Sequence, residues 1–332
     1  MNDRLFPLRR HWILRPLAVL VGSSFGLALS AQPARAASDG TLTLVVGYPA
    51  GGTSDQVARI LAPHLSARLR MTVKVENHVG DSGHQAARHV AKADAGQNIL
   101  LLSNPATMVI APVTQGNLGY SPDKDFTPVS HVVDYELALA INKDLPPNRM
   151  MFLVSWLWSH PEDSRFAVPA LASLPHFFGL KLGHAARVKP AIIDGKGSAN
   201  LAANLANGRE KIAIDTLGAL LPRHQKGEVI ILATSGRQRS RQLPDVPTFH
   251  ENGLKLNALG WNVFYAPSAM PAAKVQALGG HIRAVMSDPA VRKAILNTGM
   301  TPVAAGPDET AHMLRQFRSE WEPLVRHYSF AP

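Results

Sequence analysis

The chain has 332 residues, no cysteine and a formal net charge of +10 at pH 7. Without cysteine, disulfide bonds and thiolate metal sites are excluded, so burial of apolar side chains must hold the fold together. The basic residues are scattered and are not interleaved with aromatic residues, which argues against nucleic-acid binding and favours a mild positive field that attracts small anions.

The first 36 residues have the pattern of a cleaved export signal. Four arginines precede position 16, the range 17–29 is apolar, and Ala34 and Ala36 place small residues where a signal peptidase reads them. The apolar range is shorter than the roughly 20 residues that span a bilayer, which disfavours the alternative of an uncleaved anchor. Arg9-Arg10 resembles a twin-arginine motif, so both the Sec and the Tat routes stay open. We therefore expect a signal peptide at 1–36 and a periplasmic mature protein.

After this leader, short β-rich runs alternate with helical stretches. Strands are predicted at 41–46, 72–75, 99–102, 137–141, 166–168, 191–193, 212–214, 230–233 and 263–266, and helices at 54–69 and 85–92. This alternation predicts open α/β sheets with helices on both faces. The length that remains beyond the leader suits two domains of ordinary size.

Several predicted strands end in loops of glycine and small polar residues that open the next helix. In open α/β sheets, ligands bind outside the carboxyl ends of strands, where helix N-termini offer unpaired N–H groups and a positive dipole end that suits an anion. The candidate ligand-binding residues in these loops are Gly51, Gly52, Thr53, Ser54, Asp55, Ser82, Ser103, Gly197, Ser198 and Asp215.

The first of these loops carries the most specific pattern. Thr53 is predicted to cap the following helix, with Gln56 three residues later completing a capping box. The glycines at 51 and 52 keep side chains away from the surface that a ligand would contact. A plain tight turn before a helix is the alternative interpretation.

Signatures of catalysis are weak. The one G-x-S-x-G lies at 22–26 inside the leader, and neither a Walker loop nor H-E-x-x-H occurs. The 14 histidines are dispersed, and His84 and His89 fall on different helix faces, so neither metal nor cofactor is expected. Asp55 and Asp215 could serve a hydrolase or lyase as paired carboxylates. We favour helix-dipole stabilisation for Asp55 and loop hydrogen bonding for Asp215, and hence a binding protein rather than an enzyme.

Five segments carry a family resemblance in order and spacing. They are PAGGTSD at 49–55 followed by Ala58-Arg59, VEN at 75–77 leading to Gly80 and Gly83, DFTPVS at 125–130, LPDVPT at 243–248 with Gly253, and Ala266-Pro267 with Pro271-Ala272. Together they resemble the Bug receptor family, the extracytoplasmic solute receptors of tripartite tricarboxylate transporters. The resemblance extends from residue 41 to residue 325, and the run 196–215 keeps the family spacing without a gap.

The resemblance implies a two-domain type II periplasmic binding fold, with the ligand in an interdomain cleft that closes by a hinge motion. The expected domains are 38–140 plus 262–332 and 141–261. A ligand carboxylate would be held by backbone amides and ordered water at 51–55, with the second domain closing from loops near Gly197 and Asp215. The implied partners are a small carboxylate and the membrane permease subunits of a tripartite tricarboxylate transporter, and the receptor is expected to be a monomer. A periplasmic sensor subunit that presents its ligand to a signalling kinase is the alternative.

The chain also departs from the family pattern. Residues 169–176 read PALASLPH where the family has a glycine- and serine-rich loop, and Ser173 in this loop is a candidate ligand contact. Trp261 matches a family aromatic and is the last candidate. We hypothesise that the ligand has a less polar part near Leu171, Leu174 and Trp261; the alternative is that the leucines pack inward. The segment 150–160, with Trp156 and Trp158, is also atypical.

Overall fold

The computed structural model describes residues 40–330, so the predicted signal peptide lies outside the described residues. The strands are β1 Thr41–Val46, β2 Thr72–Asn77, β3 Ile99–Ser103, β4 Phe126–Asn142, β5 Arg165–Val168, β6 Ala191–Asp194, β7 Ile212–Thr216, β8 Val229–Thr234, β9 Leu259–Pro267 and β10 Met300–Pro302. The helices are α1 Thr53–Leu69, α2 His84–Ala91, α3 Ala111–Thr114, α4 Pro122–Asp125, α5 Met150–Ser159, α6 Leu174–Ala186, α7 Ser198–Ala206, α8 Leu217–Gln225, α9 Ala272–Met286, α10 Pro289–Leu296 and α11 Pro307–Phe330. Across residues 40–330, no helix has both the length and the apolar character of a membrane span.

The predicted strands and helices are confirmed, and β4 is longer than the sequence indicated. The sheet runs in the order β2-β1-β3-β9-β4-β7-β5-β6, and β8 and β10 also pair with β4. β1 lies parallel to β2 and β3, and β5 lies parallel to β6 and β7, as the βα alternation predicts. β9 runs antiparallel to both β3 and β4 and lies between them. The first group of strands is therefore β2, β1, β3 and β9, and the second is β7, β5 and β6.

A single strand, β4, connects the two groups. Its residues up to Glu136 pair with β9, whereas its residues from Leu137 onward pair with β7 and β8. The partners therefore change between two consecutive residues. The carboxyl ends of β1, β2 and β3, and those of β5, β6 and β7, carry the loops that the sequence analysis singled out.

The packing of β4 and β7 shows how small residues bring helices to the sheet. Ala138, Ala140 and Ala213 are fully buried on one face, and they form one apolar cluster with Leu201 of α7 and Leu220 of α8. Because alanine side chains are short, the two helices approach the strands closely. The N-termini of both helices consequently lie beside the carboxyl ends of β6 and β7, where the candidate site residues are.

Candidate functional site

Tyr48 joins the loops that follow the first three strands. Its hydroxyl oxygen lies 3.2 Å from the carbonyl oxygen of Ser82, 3.3 Å from Oδ1 of Asn104 and 3.5 Å from Oγ1 of Thr107. Burial raises the pKa of Tyr48 by more than its hydrogen bonds to Thr107 and Asn104 lower it, so the side chain is a neutral phenol. Tyr48 is not among the candidates predicted from the sequence, although its place in the short loop between a strand and a diglycine was a usable signal.

Close contact between two loop backbones explains the glycines at this edge. A Cβ atom at Gly47 would lie 2.7 Å from Cα of Gly83, and one at Gly83 would lie 2.9 Å from Oγ1 of Thr107. Gly83 also has φ +93°, which favours glycine. Ser82 is exposed and gives its carbonyl oxygen to this network, while Ser103 is buried at the end of β3.

The loop before α1 differs from the predicted capping box. Gly52, with φ −70° and ψ 167°, is the N-cap, and no side chain caps the helix. Thr53 already belongs to the helix, and the Gln56 side-chain amide donates to the carbonyl oxygen of Gly51 at 2.9 Å. The capping-box prediction was therefore wrong, because the helix begins one residue earlier than its pattern requires. The first-turn N–H groups are consequently free of a side-chain acceptor, as an anion site needs.

Asp55 holds this loop in place. Its carboxylate is 1% exposed and accepts hydrogen bonds from Gly51 N at 2.8 Å, Asn77 Nδ2 at 2.8 Å and Arg59 Nε at 2.9 Å. Burial alone would raise the pKa of Asp55, but the donors of Arg59, Gly51 and Asn77 outweigh it and lower the pKa. An ionised Asp55 thus fixes Gly51, whose φ of +84° favours glycine.

The two remaining residues of the first loop differ in exposure. Ser54 is 3% exposed, and its hydroxyl donates to Oδ1 of Asn262 on β9 at 3.1 Å. Nδ2 of Asn262 is buried and has no hydrogen-bond partner within residues 40–330. Thr53 is half-buried beside them. The start of α1 is therefore connected through Ser54 to β9.

A second set of loops follows β5, β6 and β7. Gly195 N donates to the carbonyl oxygen of Val168 and Gly197 N donates to that of Pro169, each at 2.7 Å, so the loops after β5 and β6 are bound together. Gly197 has φ +96° and is the N-cap of α7, again without a side-chain cap. A Cβ atom at Gly197 would meet nothing within 4 Å. This helix N-terminus has the same character as that of α1.

Asp215 lies at the end of β7 next to Ser198. It is fully buried, and its Oδ1 accepts a hydrogen bond from Thr216 N at 2.6 Å. Burial raises its pKa to about 7, against the opposing effects of the Ser198 hydroxyl and the Thr216 N–H. Oδ2 has no hydrogen-bond partner in the described part of the chain. The structure therefore brings Gly197, Ser198 and Asp215 together, as the sequence analysis expected of one loop cluster.

The loop at 169–176 only partly fits the hypothesis of an apolar ligand contact. Ser173 caps α6: its hydroxyl donates to the carbonyl oxygen of Ala170 at 2.6 Å and accepts from His176 N at 3.4 Å. Leu171 is 52% exposed, whereas Leu174 is 2% exposed and packs in the core. The inward alternative is therefore correct for Leu174, and Leu171 is the apolar side chain that this loop presents.

The position of Trp261 contradicts its predicted role as a residue that contacts the ligand. The side chain is 1% exposed, and its ring packs edge-on against Phe317 of α11 at a centroid distance of 5.6 Å. Because successive strand residues point to opposite faces, Trp261 lies on the face of β9 away from Asn262 and Ser54. A cluster of Leu171, Leu174 and Trp261 around a ligand is thus not formed.

The geometry gives two uncapped helix N-termini at the carboxyl ends of two parallel strand groups. Within residues 40–330, no three His, Asp or Glu side chains lie close enough to bind a metal ion. A model described as the tripartite tricarboxylate transporter family receptor, TctC, matches residues 57–330. The chain belongs to this family.

Similar proteins support the same assignment. The chain is 30% identical to protein BugT of Bordetella pertussis, over 86% of this chain and 88% of that protein. A structure of an R. palustris protein with adipate has a TM-score of 0.81 at 28% identity and covers 86% of this chain and 96% of that one. MatC from Rhodopseudomonas palustris with bound malate has a TM-score of 0.76 at 26% identity and covers 86% and 98%.

The family assignment confirms the resemblance to Bug receptors and the fold class predicted from the sequence. The TctC chain has the α/β fold of a two-domain periplasmic binding protein of type II. It is a periplasmic solute-binding receptor, and the comparisons give no support to the alternative of a sensor subunit.

Proposed function

We propose that this receptor binds a small carboxylate of the size of malate or adipate at the uncapped N-terminus of α1. The observation that carries the proposal is the loop Gly51-Gly52, which leaves the first-turn N–H groups without a side-chain acceptor and is fixed from behind by Asp55. Backbone N–H groups and the helix dipole suit an anion without a lysine or arginine. The ligands of the two similar structures, adipate and malate, support this chemistry.

The second half of the proposed site is the N-terminus of α7 with Ser198 and Asp215. We assign residues 38–140 plus 262–332 to one lobe and 141–261 to the other, with the ligand between them. The change of partners along β4 favours a first crossing at Glu136–Leu137, a few residues before the boundary that the sequence suggested. Lobe closure would then bring the two helix N-termini toward one ligand from opposite sides.

The proposal extends to the cellular context. The leader directs export, the mature receptor acts as a monomer without catalysis, and it delivers its ligand to the permease subunits of a tripartite tricarboxylate transporter. The family to which the chain belongs supports this assignment. Asp55 accepts hydrogen bonds from Gly51, Asn77 and Arg59, which leaves it no role as a catalytic base.

Mass spectrometry of the ligand that co-purifies with the protein, followed by calorimetry, tests the proposal. Malate, adipate, citrate, glutamate and benzoate form the panel, and a mass balance on the bound ligand checks for turnover. Tight binding of at least one carboxylate, with the ligand recovered unchanged, is the expected result. Binding of none, or conversion of the ligand to product, would overturn the proposal.

A further inference from the structure

Helix α5 has apolar residues on both of its faces although it lies at the surface. Its sequence, MMFLVSWLWS, contains no charged residue. Leu153, Val154 and Leu157 are buried, whereas Met151 and Phe152 are each 46% exposed and Trp158 is 58% exposed. A surface helix usually turns a polar face to water, so an apolar outer face indicates a contact that the fold itself does not provide.

The exposed apolar side chains share one face of the helix with Ser155 and Ser159, whose hydroxyls donate to backbone carbonyl oxygens of the helix itself. At about 100° per residue, Met151, Phe152 and Trp158 fall within about one third of the helix circumference. Trp158 is held in place, because its Nε1–H donates to the carbonyl oxygen of Ala186 at 3.0 Å. Trp156 differs, since it stacks on the ring of His160 at 3.8 Å and is half-buried. The outer face of α5, defined here by Met151, Phe152 and Trp158, is therefore anchored through Trp158.

Three exposed basic residues lie in the segments next to this outer face. Arg149 precedes α5, Arg187 follows the Ala186 carbonyl that binds Trp158, and Lys189 comes two residues later; all three are exposed. None of the three enters an ion pair within residues 40–330. In the same flanking segments, Asp144 and Asp163 are each paired with a lysine, so Glu162 alone opposes the three cations. Tryptophan and apolar side chains flanked by arginine and lysine are typical of contact with an anionic lipid surface.

A second copy of the chain fits this surface less well. In a two-fold dimer the same patch faces itself, so the cations around one copy of the patch would lie close to the cations around the other. Three side chains also cover far less than the roughly 800 Å² that each partner buries in a stable protein interface. A lipid surface supplies the opposite charge and requires no matching shape.

We propose that the outer face of α5 docks the receptor on an anionic bilayer surface. Met151, Phe152 and Trp158 insert at the headgroup level, and Arg149 and Arg187 contact lipid phosphates. The docking is peripheral and reversible, and it keeps the receptor close to the membrane in which its permease lies. The surface is separate from the ligand loops, so the proposal stands independently of ligand identity.

Vesicle flotation with the purified protein tests the proposal. Vesicles of phosphatidylglycerol and phosphatidylcholine should carry the wild type, vesicles of phosphatidylcholine alone should not, and added salt should weaken the binding. The double variant Met151→Ser, Phe152→Ser should lose roughly tenfold or more in partition coefficient. The control Leu296→Ser, which changes an exposed leucine at the end of α10, should float like the wild type. Residues 1–36, where present, are common to all variants and cannot produce a difference between them.

Trp158 supplies a spectroscopic reading of the same event. Among the described tryptophans it is the exposed one, since Trp261 and Trp321 are buried and Trp156 is half-buried. Its emission should shift to the blue with anionic vesicles and not in Trp158→Ser. Equal flotation of wild type and double variant would overturn the proposal, as would a dimer in sedimentation that the double variant abolishes. Ligand affinity should be unchanged in every variant, which separates failure here from failure of the carboxylate site.

Discussion

Replacement of Gly52 by aspartate tests the anion site most directly. Gly52 is the N-cap of α1 in an extended conformation that any residue adopts, and an added Cβ would lie 3.2 Å from the carbonyl oxygen of Pro49. Aspartate is a preferred N-cap residue, whose carboxylate accepts from first-turn N–H groups. Gly52→Asp should therefore fold, with a free energy of unfolding within about 0.5 kcal/mol of the wild type, while its own carboxylate occupies the groups that the ligand needs.

The size of the effect follows from linkage. A ligand at 100 times its dissociation constant stabilises the native state by about 2.7 kcal/mol. For lobes of this size that corresponds to a rise in melting temperature of roughly 5–10 °C. In a thermal-shift assay the wild type should show this rise with its carboxylate, and Gly52→Asp should show none.

Two matched variants sharpen the result. Gly52→Asn offers a cap without a charge and should weaken binding less than aspartate does. Gly96→Asp adds the same charge at an exposed glycine with open space around it, and it should retain the full ligand shift. If Gly52→Asp kept the wild-type shift, the carboxylate would bind elsewhere; if Gly96→Asp lost it, the loss would reflect net charge rather than the helix N-terminus.

Three further predictions follow from the buried groups. Asp55→Asn should weaken ligand binding and cost about 1.5–3 kcal/mol of stability, measured by urea unfolding, because Gly51 N–H loses a charged acceptor; unchanged affinity would contradict the positioning role. Burial raises the pKa of Asp215 from 3.8 to about 7, so between these values the folded state holds a proton that the unfolded state releases. The contribution of Asp215 to stability should therefore fall as pH rises from about 4 to 7 and then level off. The variant Asp215→Asn should flatten this slope in urea unfolding measured across that pH range. Gly260→Ala should lose about 1–3 kcal/mol, because its Cβ would lie 2.0 Å from the Tyr135 ring, whereas Gly280→Ala in open space on α9 should gain about 0.5–1 kcal/mol.

The sequence predicted the strands that are short and apolar, and it missed most of β4. Residues 137–141 are continuously apolar, which makes them easy to recognise as a buried strand. The part of β4 before them contains Pro128, His131, Asp134 and Glu136. The register there is interrupted twice, between Pro128 and Ser130 and between His131 and Val133. Alternation rules fail at such interruptions, because each one moves the following side chains relative to the two faces.

The candidate site was predictable to the level of loops and not of individual side chains. Glycine after a strand was enough to indicate Gly51 and Gly197, since the reason for glycine there is local. The position of Trp261 depends on which face of β9 meets α11, and the role of Tyr48 depends on three loops that are distant in sequence. Neither can be read from periodicity, which says that faces alternate but not what covers them.

The contrast between Asp55 and Asp215 bears on whether the buried carboxyl groups of the proposed site repel an anionic ligand. Both are buried carboxyl groups in ligand loops, but Asp55 is ionised and its oxygens are directed at Gly51, Asn77 and Arg59. Asp215 has one backbone donor, and burial keeps its pKa near neutrality at about 7. In the proposed site, a carboxylate ligand would meet N–H groups that Asp55 has fixed in position, and if Asp215 faces it from the other side, an acid that can take up a proton rather than repel it. Ligand affinity should consequently fall as pH rises above 7, and calorimetry on Asp215→Asn, in which that fall should disappear, decides whether Asp215 faces the ligand.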